Sequence, residues 1–485
     1  MYQRQTLRTA WKIALLCLPL LGCKSTTICP TDDSSCQPLV ELLGQSALSQ
    51  GGAPFLLPRE GSTKLQVRLR GISPGTDGYP LWLVSEKAQG TLLGNAGFVS
   101  DDPSGDGSGI FSLDVPATNL PVLGRYLLRA GAAVSTMLPR PPQAADGTLV
   151  TEPEVTVVKR TLAYQTPVVL ALGGLGQTDL PEQNQLGVVA GEVAGLGIGM
   201  DGAGTIKQKL RRFGWNGSAL VERTISGFWT TQWGAEVRGA FAADNILLGQ
   251  PALMPSKPAL TACPLNATVI ADCRAISPST LPVDSQTLAV SSDGKWGAYA
   301  ANDGALWSRD LSASGMWQAL VTNAPTVKQV LGVWLVDVSG DGKTDVVGVW
   351  QDGQTMTARV FLGNGSAFAE EVKWSQAVTA IGPSPLSAMA MGDVDGDGYA
   401  DVVVARGLTL TLQQNLFGTF APVWKGELDP KQAGMKVSAL AVGRVSGTDL
   451  KQSLDIVAAS YTDYDALGKC SLYLQVFRPQ PPTAQ

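Results

Sequence analysis

The chain has 485 residues and a mild formal net charge of −5, from 36 basic and 41 acidic side chains. It contains no histidine, which excludes the Ser-His-Asp triad, the Cys-His dyad and histidine-ligated zinc. No basic stripe or phosphate-binding G-x-x-x-x-G-K motif is present, so we expect no nucleic-acid partner and no enzymatic activity. The 55 glycines and 30 prolines favour a turn-rich, all-β protein.

The first 22 residues predict a cleavable export signal. Three basic and no acidic side chains precede an apolar run, Ile13 to Leu21, that is too short to cross a bilayer core of about 30 Å as a helix. The run ends at Leu20-Leu21-Gly22-Cys23, which resembles the lipobox of bacterial lipoproteins. In that family the cysteine is acylated, so the resemblance implies that Cys23 anchors the chain to a lipid bilayer. The alternative is an ordinary secretory signal followed by an unrelated cysteine.

The remaining cysteines predict local disulfides. Cys29 and Cys36 are close in sequence, as are Cys263 and Cys273. In an oxidising envelope compartment, we expect each of these two pairs to form a disulfide bond. Neither pair has the close spacing of a zinc site. Cys470 remains, and we predict that it is buried as a small apolar side chain.

The pattern of the chain divides it into four segments. After the signal, residues 1–22, we predict a lipidated tether over 23–51, a β-sandwich domain over 52–160 and a repeat domain over 161–485. Lys64 to Arg70 alternates apolar and polar side chains, with the period of a half-buried strand. Similar short segments separated by turn clusters fill the rest of 52–160. Such a pattern is typical of an immunoglobulin-like β-sandwich.

After residue 160 the sequence repeats at intervals of about 50 residues. The clearest copies are Val336 to Val347 and Gly392 to Val403, and weaker copies begin at Gly191 and Gly443. A second motif, which centres on Asn-Gly-Ser-Ala, occurs at 216–219 and at 364–367. Each unit contains several short strands and no amphipathic helix. Such units must pack side by side, and a ring leaves the fewest exposed edges.

We therefore predict a β-propeller of six or seven blades over 161–485. A seventh unit has two candidate locations, Leu162 to Gln185 and the neighbourhood of Phe228 to Gln250. Alternatively, the first strand of the domain closes the ring by pairing with the last unit, Ser471 to Phe477.

Two loops of the repeat domain carry candidate metal ligands. Both place side-chain oxygens at positions 1, 3, 5 and 9, with glycine at position 6. Calcium takes six to eight oxygen ligands, and the carbonyl of position 7 completes such a set. The candidates are Asp337, Ser339, Asp341, the Lys343 carbonyl and Asp345 in the first loop, and Asp393, Asp395, Asp397, the Tyr399 carbonyl and Asp401 in the second. The alternative is a charged turn without metal, although four carboxylates within nine residues repel one another strongly without a cation.

The residues after these loops separate them from EF-hands, in which a helix follows the loop. Here β-branched runs follow, Val346 to Val349 and Val402 to Val404, which predict buried strands. This combination resembles the FG-GAP (VCBS-type) repeat of integrin α-subunit propellers and their bacterial relatives. The resemblance covers Val333 to Phe368 and Ala388 to Phe420, and it implies that the two loops bind Ca²⁺. Arg444 breaks the pattern in the third copy, where no metal is expected.

These features predict a membrane-anchored, calcium-stabilised binding or scaffold lipoprotein of the bacterial cell envelope, with a protein or glycan partner. Lys24 is not the aspartate that retains lipoproteins in the inner membrane of some enteric bacteria, which favours the outer membrane of a Gram-negative species. Two alternatives remain. One is a propeller enzyme of the lyase or glycosidase type that uses carboxylate, Lys or Tyr side chains at the ring mouth. The other is a structural member of an envelope complex.

Overall fold

The protein is all-β, as the composition predicts, with one short 3₁₀ helix, Ala117–Asn119, in its described part. No helix of that part has the length and apolar character that crossing a membrane requires. The chain divides into two compact units, Met1–Val158 and Lys159–Gln485, called unit 1 and unit 2 below. The computed structural model describes residues 38–43, 55–59, 61–70, 78–85, 88–101, 108–131, 152–159, 162–175, 185–200, 206–223, 238–242, 245–249, 260–264, 274–277, 285–301, 303–312, 316–321, 329–352, 355–372, 386–416, 420–429, 435–445, 453–463, 465–467 and 469–480.

Unit 1 contains eight described strands. They are β1 (Leu39–Leu43), β2 (Phe55–Pro58), β3 (Ser62–Arg70), β4 (Gly78–Val84), β5 (Gly90–Asp101), β6 (Ser108–Pro116), β7 (Gly124–Ala130) and β8 (Glu154–Val158). Hydrogen bonds join them in the order β1-β3-β6-β5-β4-β7-β8-β2. The predicted strand at Lys64 to Arg70 is confirmed as part of β3, whose Leu65, Val67 and Leu69 side chains are buried in the core.

The strand pairing of unit 1 is that of an immunoglobulin-like sandwich. β5 pairs with β4 along its first half and with β6 along its second half, so it connects the strands on the β3 side of the order with those on the β7 side. β2 pairs parallel with β8, whereas β7 pairs antiparallel with β8. The Tyr126 hydroxyl on β7 donates to the Val122 carbonyl at 2.8 Å, which is the tyrosine corner of this fold.

Part of the predicted tether, 23–51, lies in this sandwich. β1 falls within that segment and pairs antiparallel with β3. The physical reason is its apolar pattern, because Val40 and Leu42 pack against the core of unit 1. On the other side of the strand, the Glu41 carboxylate accepts a hydrogen bond from Arg68 Nη1 at 2.8 Å.

Several predictions fall on residues outside the described ranges. These are the export signal, the acylated Cys23, and the cysteines Cys29, Cys36 and Cys273. The backbone of Cys263 lies in a strand of unit 2, but its side chain is not described. Both disulfides therefore stay predictions. Cys470 is buried, as predicted.

Unit 2 begins with β9 (Val168–Leu175), and six four-stranded antiparallel sheets can be traced in its described residues. Sheet 1 contains β10 (Leu186–Val189), β11 (Glu192–Met200), β12 (Ile206–Trp215) and β13 (Leu220–Arg223); sheet 2 contains β14 (Arg238–Ala242), β15 (Asn245–Gly249), β16 (Leu260–Pro264) and β17 (Arg274–Ser277); sheet 3 contains β18 (Ser285–Val290), β19 (Trp296–Ala301), β20 (Leu306–Asp310) and β21 (Gln318–Val321). Sheet 4 contains β22 (Gln329–Val336), β23 (Asp345–Asp352), β24 (Thr355–Gly363) and β25 (Phe368–Val372); sheet 5 contains β26 (Ala388–Gly392), β27 (Asp401–Arg406), β28 (Thr409–Asn415) and β29 (Phe420–Glu427); sheet 6 contains β30 (Lys436–Gly443), β31 (Asp455–Tyr461), β32 (Cys470–Phe477) and β9.

The six sheets of unit 2 follow one another in a ring. The first strand of each sheet contacts the first strand of the next, and β30 of sheet 6 contacts β10 of sheet 1. β9 completes sheet 6 by pairing antiparallel with β32, which confirms closure of the ring by the first strand of the domain. The region Phe228 to Gln250, considered above for a seventh unit, contributes β14 and β15 to sheet 2.

The recurrence of the Asn-Gly-Ser-Ala motif is confirmed as a recurrence of structure. In the β12–β13 and β24–β25 hairpins, the Oδ1 atoms of Asn216 and Asn364 accept the backbone N–H groups two and three residues later, at 2.9–3.0 Å. Gly217 and Gly365 follow with φ of +104° and +90°, a region that favours glycine. Sheets 1 and 4 therefore use the same turn at the same place.

Candidate metal centre

One loop connects the first strand to the second strand in each of sheets 4, 5 and 6. Loop 1 covers 337–344, loop 2 covers 393–400 and loop 3 covers 444–454, of which 444–445 and 453–454 are described. The two candidate calcium sites occupy loops 1 and 2. Loop 3 belongs to the weaker copy of the repeat, in which Arg444 stands in place of the first aspartate. The weaker copy at Gly191 is different, because the connection there is a tight turn with positive φ at Ala190 and Gly191.

An aspartate begins the second strand in each of these sheets, and its carboxylate is buried. These aspartates are Asp345, Asp401 and Asp455, and the first two occupy position 9 of the predicted sites. The Asp345 carboxylate accepts three backbone hydrogen bonds, from Val338 at 3.0 Å, from Ser339 at 3.1 Å and from Gly363 at 2.8 Å. It therefore ties loop 1 to the end of β24, within its own sheet.

The same contact recurs in loops 2 and 3. Asp401 accepts the N–H of Val394 at 3.0 Å and the N–H of Asn415 at 2.9 Å, and Asn415 ends β28 as Gly363 ends β24. In loop 3, Asp455 accepts the N–H of Val445 at 2.8 Å. Loop 3 lacks the aspartate at position 1. The Asp455 carboxylate therefore holds the loop backbone without the predicted set of metal ligands.

The loops also join neighbouring sheets. The N–H of Ala400 at the end of loop 2 donates to the carbonyl of Asp337 in loop 1 at 2.7 Å. In the same way, the N–H of Leu454 in loop 3 donates to the carbonyl of Val394 in loop 2 at 2.9 Å. The buried Asn415 side chain donates to the carbonyl of Val338 at 3.0 Å, which adds a further bond between sheets 5 and 4. Loop 2 is thus hydrogen-bonded across both interfaces of sheet 5 with its neighbouring sheets, which we call the seams of the ring.

Loop 2 brings three carboxylates together. One oxygen from each of Asp393, Asp395 and Asp401 lies within 4.8 Å of the others. Two oxygens bound to one Ca²⁺ at about 2.3 to 2.6 Å can be separated by up to about 5 Å, so this spacing fits a single ion. Asp395 and Asp401 are fully buried, whereas Asp393 is partly exposed. These three side chains could hold a metal ion.

The other contacts of loop 2 leave oxygen lone pairs for a cation. Asp393 accepts the N–H of Asp397 at 2.9 Å and the N–H of Gly398 at 3.0 Å, contacts that occupy only part of its capacity as an acceptor. The Oδ1 atom of Asp397 accepts the N–H of Tyr399 at 2.8 Å. Its Oδ2 atom is buried and has no hydrogen-bond partner in the described part of the chain. A buried carboxylate oxygen without a hydrogen-bond partner fits the role of a cation ligand.

The electrostatics of loop 2 show the cost of collecting these charges. Burial, together with the neighbouring carboxylates of Asp397 and Asp393, raises the pKa of Asp395 to about 7. Burial also raises the pKa of Asp397, and it raises the pKa of the fully buried Asp401 well above its usual range. A divalent cation among these groups would favour their charged forms and reverse that tendency.

The carboxylates of loop 1 do not converge in the same way. Asp337 accepts the N–H groups of Gly340 at 2.6 Å and Gly342 at 2.7 Å. The Asp341 side chain is exposed and binds the Lys343 ammonium at 2.9 Å, a hydrogen bond that lowers the pKa of Asp341. The Ser339 hydroxyl lies 3.4 Å from the Asp337 carboxylate. Within the described residues, the group of three acidic side chains close enough to share a metal ion is the one in loop 2.

Three residues that contact loop 2 were not predicted from the sequence. The buried Gln414 side chain donates from Nε2 to Asp395, and Asn415 binds Asp401 through its backbone. The sequence feature that could have indicated Gln414 and Asn415 is the polar run Gln413 to Asn415, which ends an otherwise alternating strand. Lys159 donates from Nζ to the Gly396 carbonyl at 2.7 Å. No local sequence pattern could have predicted this contact, because the two residues are 237 positions apart in the chain.

Comparison with known protein families adds an independent observation. Residues 337–404 match the family model described as an FG-GAP-like repeat. This segment is similar to an FG-GAP-like repeat. It begins at position 1 of loop 1 and ends in β27, after loop 2, so the matched repeat spans both predicted sites. Loop 3 lies outside it. No curated protein matches the chain.

The buried aspartate of loop 3 allows the structural contact to be tested apart from metal binding. Asp455→Ala removes the acceptor for the buried Val445 N–H. We expect the free energy of unfolding of unit 2 to fall by about 1–3 kcal/mol, the usual cost of an unsatisfied buried donor. The loss should be the same in calcium and in chelator, as measured by denaturant unfolding.

The control is Asp463→Ala, which removes an exposed carboxylate paired with Lys436 on the same sheet. It should change stability little, because exposed ion pairs contribute little. Equal stabilities of the two variants would contradict a structural role for the Asp455 carboxylate.

Proposed function

We propose that the chain is a calcium-stabilised binding or scaffold lipoprotein of the bacterial envelope, in which the ring of six sheets is a six-bladed β-propeller. The observation that carries the proposal is the convergence of Asp393, Asp395 and Asp401 in a loop of an FG-GAP-like repeat. The cyclic order of the sheets and the closure of sheet 6 by β9 support the propeller architecture.

The donor set of loop 2 favours calcium over other metals. All candidate ligands are oxygens, which hard cations prefer, and the chain has no histidine for a zinc site. Asp397, with its unpartnered Oδ2, and the carbonyl of Tyr399 would add to the three converging carboxylates. Such a set approaches the six to eight ligands of Ca²⁺, whereas Mg²⁺ usually keeps several waters.

The ion would stabilise the fold rather than catalyse a reaction. Loop 2 joins sheet 5 to both neighbouring sheets through backbone hydrogen bonds, so relief of its internal repulsion stabilises two seams. Protein oxygens would fill most of the coordination sphere and leave little room for a substrate. The ring would then act as a rigid platform whose exposed loops bind a protein or glycan partner, held at the membrane by acylated Cys23.

Calcium dependence of stability tests the first part of this proposal. Removal of the ion should lower the melting temperature of unit 2 and spare that of unit 1, because the carboxylates of loop 2 then repel one another. Extracellular modules bind calcium at roughly 10⁻⁴ to 10⁻³ M, so millimolar calcium should give the full effect. Calorimetry of the parent protein, with calcium and with excess chelator at matched ionic strength, measures the shift.

Two variants locate the effect. Asp397→Ala should remove most of the calcium-induced shift, since it deletes a charged ligand from loop 2. Ser339→Ala, at an uncharged position of loop 1, should remove less. Identical melting curves of the parent protein in calcium and in chelator would eliminate calcium from the proposal.

Membrane anchoring is tested separately. Cys23→Ser should leave an unlipidated precursor that stays in the aqueous phase of a detergent partition, whereas the parent protein enters the detergent phase. Cys470→Ser, which changes a buried cysteine of sheet 6, is the matched control and should partition like the parent. If Cys23→Ser still enters the detergent phase, the lipobox assignment is wrong.

A further inference from the structure

Lys159 places a positive charge at the edge of the acidic loop. It is the first residue of unit 2, and its Nζ atom donates to the carbonyl of Gly396 at 2.7 Å. Gly396 lies between Asp395 and Asp397 in loop 2. The Lys159 charge lowers the pKa of both of these aspartates, against the larger opposing effect of burial. The ammonium therefore acts on the same carboxylates that would bind the cation.

The other lysines near equivalent loops do not share this arrangement. Lys343 binds Asp341 within the exposed part of loop 1. Lys295 makes the same type of bond as Lys159, because its Nζ atom donates to the Gly365 carbonyl at 2.7 Å. Gly365, however, lies in a hairpin turn whose neighbours in sequence carry no carboxylate. Among the described residues, Lys159 and Lys295 each donate to the carbonyl of a glycine in a turn, but the group of three carboxylates lies beside Lys159.

We propose that Lys159 is a tethered counter-ion of loop 2 that competes electrostatically with calcium and so sets the calcium affinity of the site. The inference rests on the proposed function, since it requires that loop 2 bind calcium. Without the ion, the ammonium offsets part of the repulsion among the carboxylates. With the ion bound, the same ammonium lies near a divalent cation and repels it. Its two effects on stability therefore have opposite signs.

The size of the effect follows from Coulomb interaction at a partly exposed site. A single charge several ångströms from a divalent cation, screened by water and salt, changes affinity by about threefold to tenfold. The stem of Lys159 does not need to move for this to occur. A purely positional role, in which the lysine only fixes the Gly396 carbonyl, predicts the opposite sign, because loss of the bond would loosen the loop and weaken binding.

The test is calcium titration of the full-length, detergent-solubilised protein by calorimetry. Lys159→Met removes the charge and keeps the length of the side chain, and Lys159→Gln removes the charge but keeps a hydrogen-bond donor. Both should bind calcium about three to ten times more tightly than the parent. Lys159→Arg keeps the charge and should bind like the parent, as should Lys295→Met, which removes the comparable bond to Gly365 and leaves loop 2 unchanged. In chelator, Lys159→Met should melt below the parent.

Unchanged or weaker calcium binding in Lys159→Met and Lys159→Gln would overturn the inference while leaving the calcium site in place. If only one of these two variants folds, its affinity alone decides between the two signs. If the parent protein binds no calcium, the proposed function fails, and the inference fails with it.

Discussion

A buried carboxylate at the start of the second strand organises the half of the ring formed by sheets 4, 5 and 6. Asp345, Asp401 and Asp455 each accept the N–H of a buried valine at the second position of the preceding loop. That bond closes the loop across its base and directs the loop backbone toward the adjacent sheet, where Ala400 and Leu454 donate to carbonyls of the preceding loop. The seams between these sheets depend on loop conformations that the aspartates maintain.

Burial of a carboxylate costs more free energy when several carboxylates lie in the same loop. A single buried aspartate with backbone N–H donors is tolerable, as in loop 3, because charge-assisted hydrogen bonds replace much of the lost hydration. Loop 2 adds Asp393, Asp395 and Asp397 to Asp401, and burial then raises the pKa of Asp395 to about 7. The loop that is hydrogen-bonded to the loops of both neighbouring sheets is therefore also the one in which three carboxylates converge. A bound cation, as proposed above, would offset that cost, and the nearby ammonium of Lys159 would offset part of it when no ion is bound.

Much of this arrangement could be predicted from local sequence. The alternation in Lys64 to Arg70 predicted a strand, and the two Asp- and Gly-rich loops with the valine runs behind them predicted loops followed by strands, because each pattern is local in the sequence. The closure of sheet 6 by β9 remained one of several possibilities, because it pairs opposite ends of the domain. β1 was missed because a short apolar strand in a polar segment has no distinctive period. Gln414 and Lys159 reach loop 2 only through the fold.

Anomalous X-ray diffraction from crystals grown with Tb³⁺, a calcium substitute, tests whether loop 2 binds a cation among its buried carboxylates. We expect an anomalous peak within about 2.6 Å of carboxylate oxygens of Asp393, Asp395 and Asp401. Loop 3 should give no peak, because Arg444 replaces the aspartate at position 1. A map without a peak at loop 2, from crystals in which Tb³⁺ is bound elsewhere, would contradict the account.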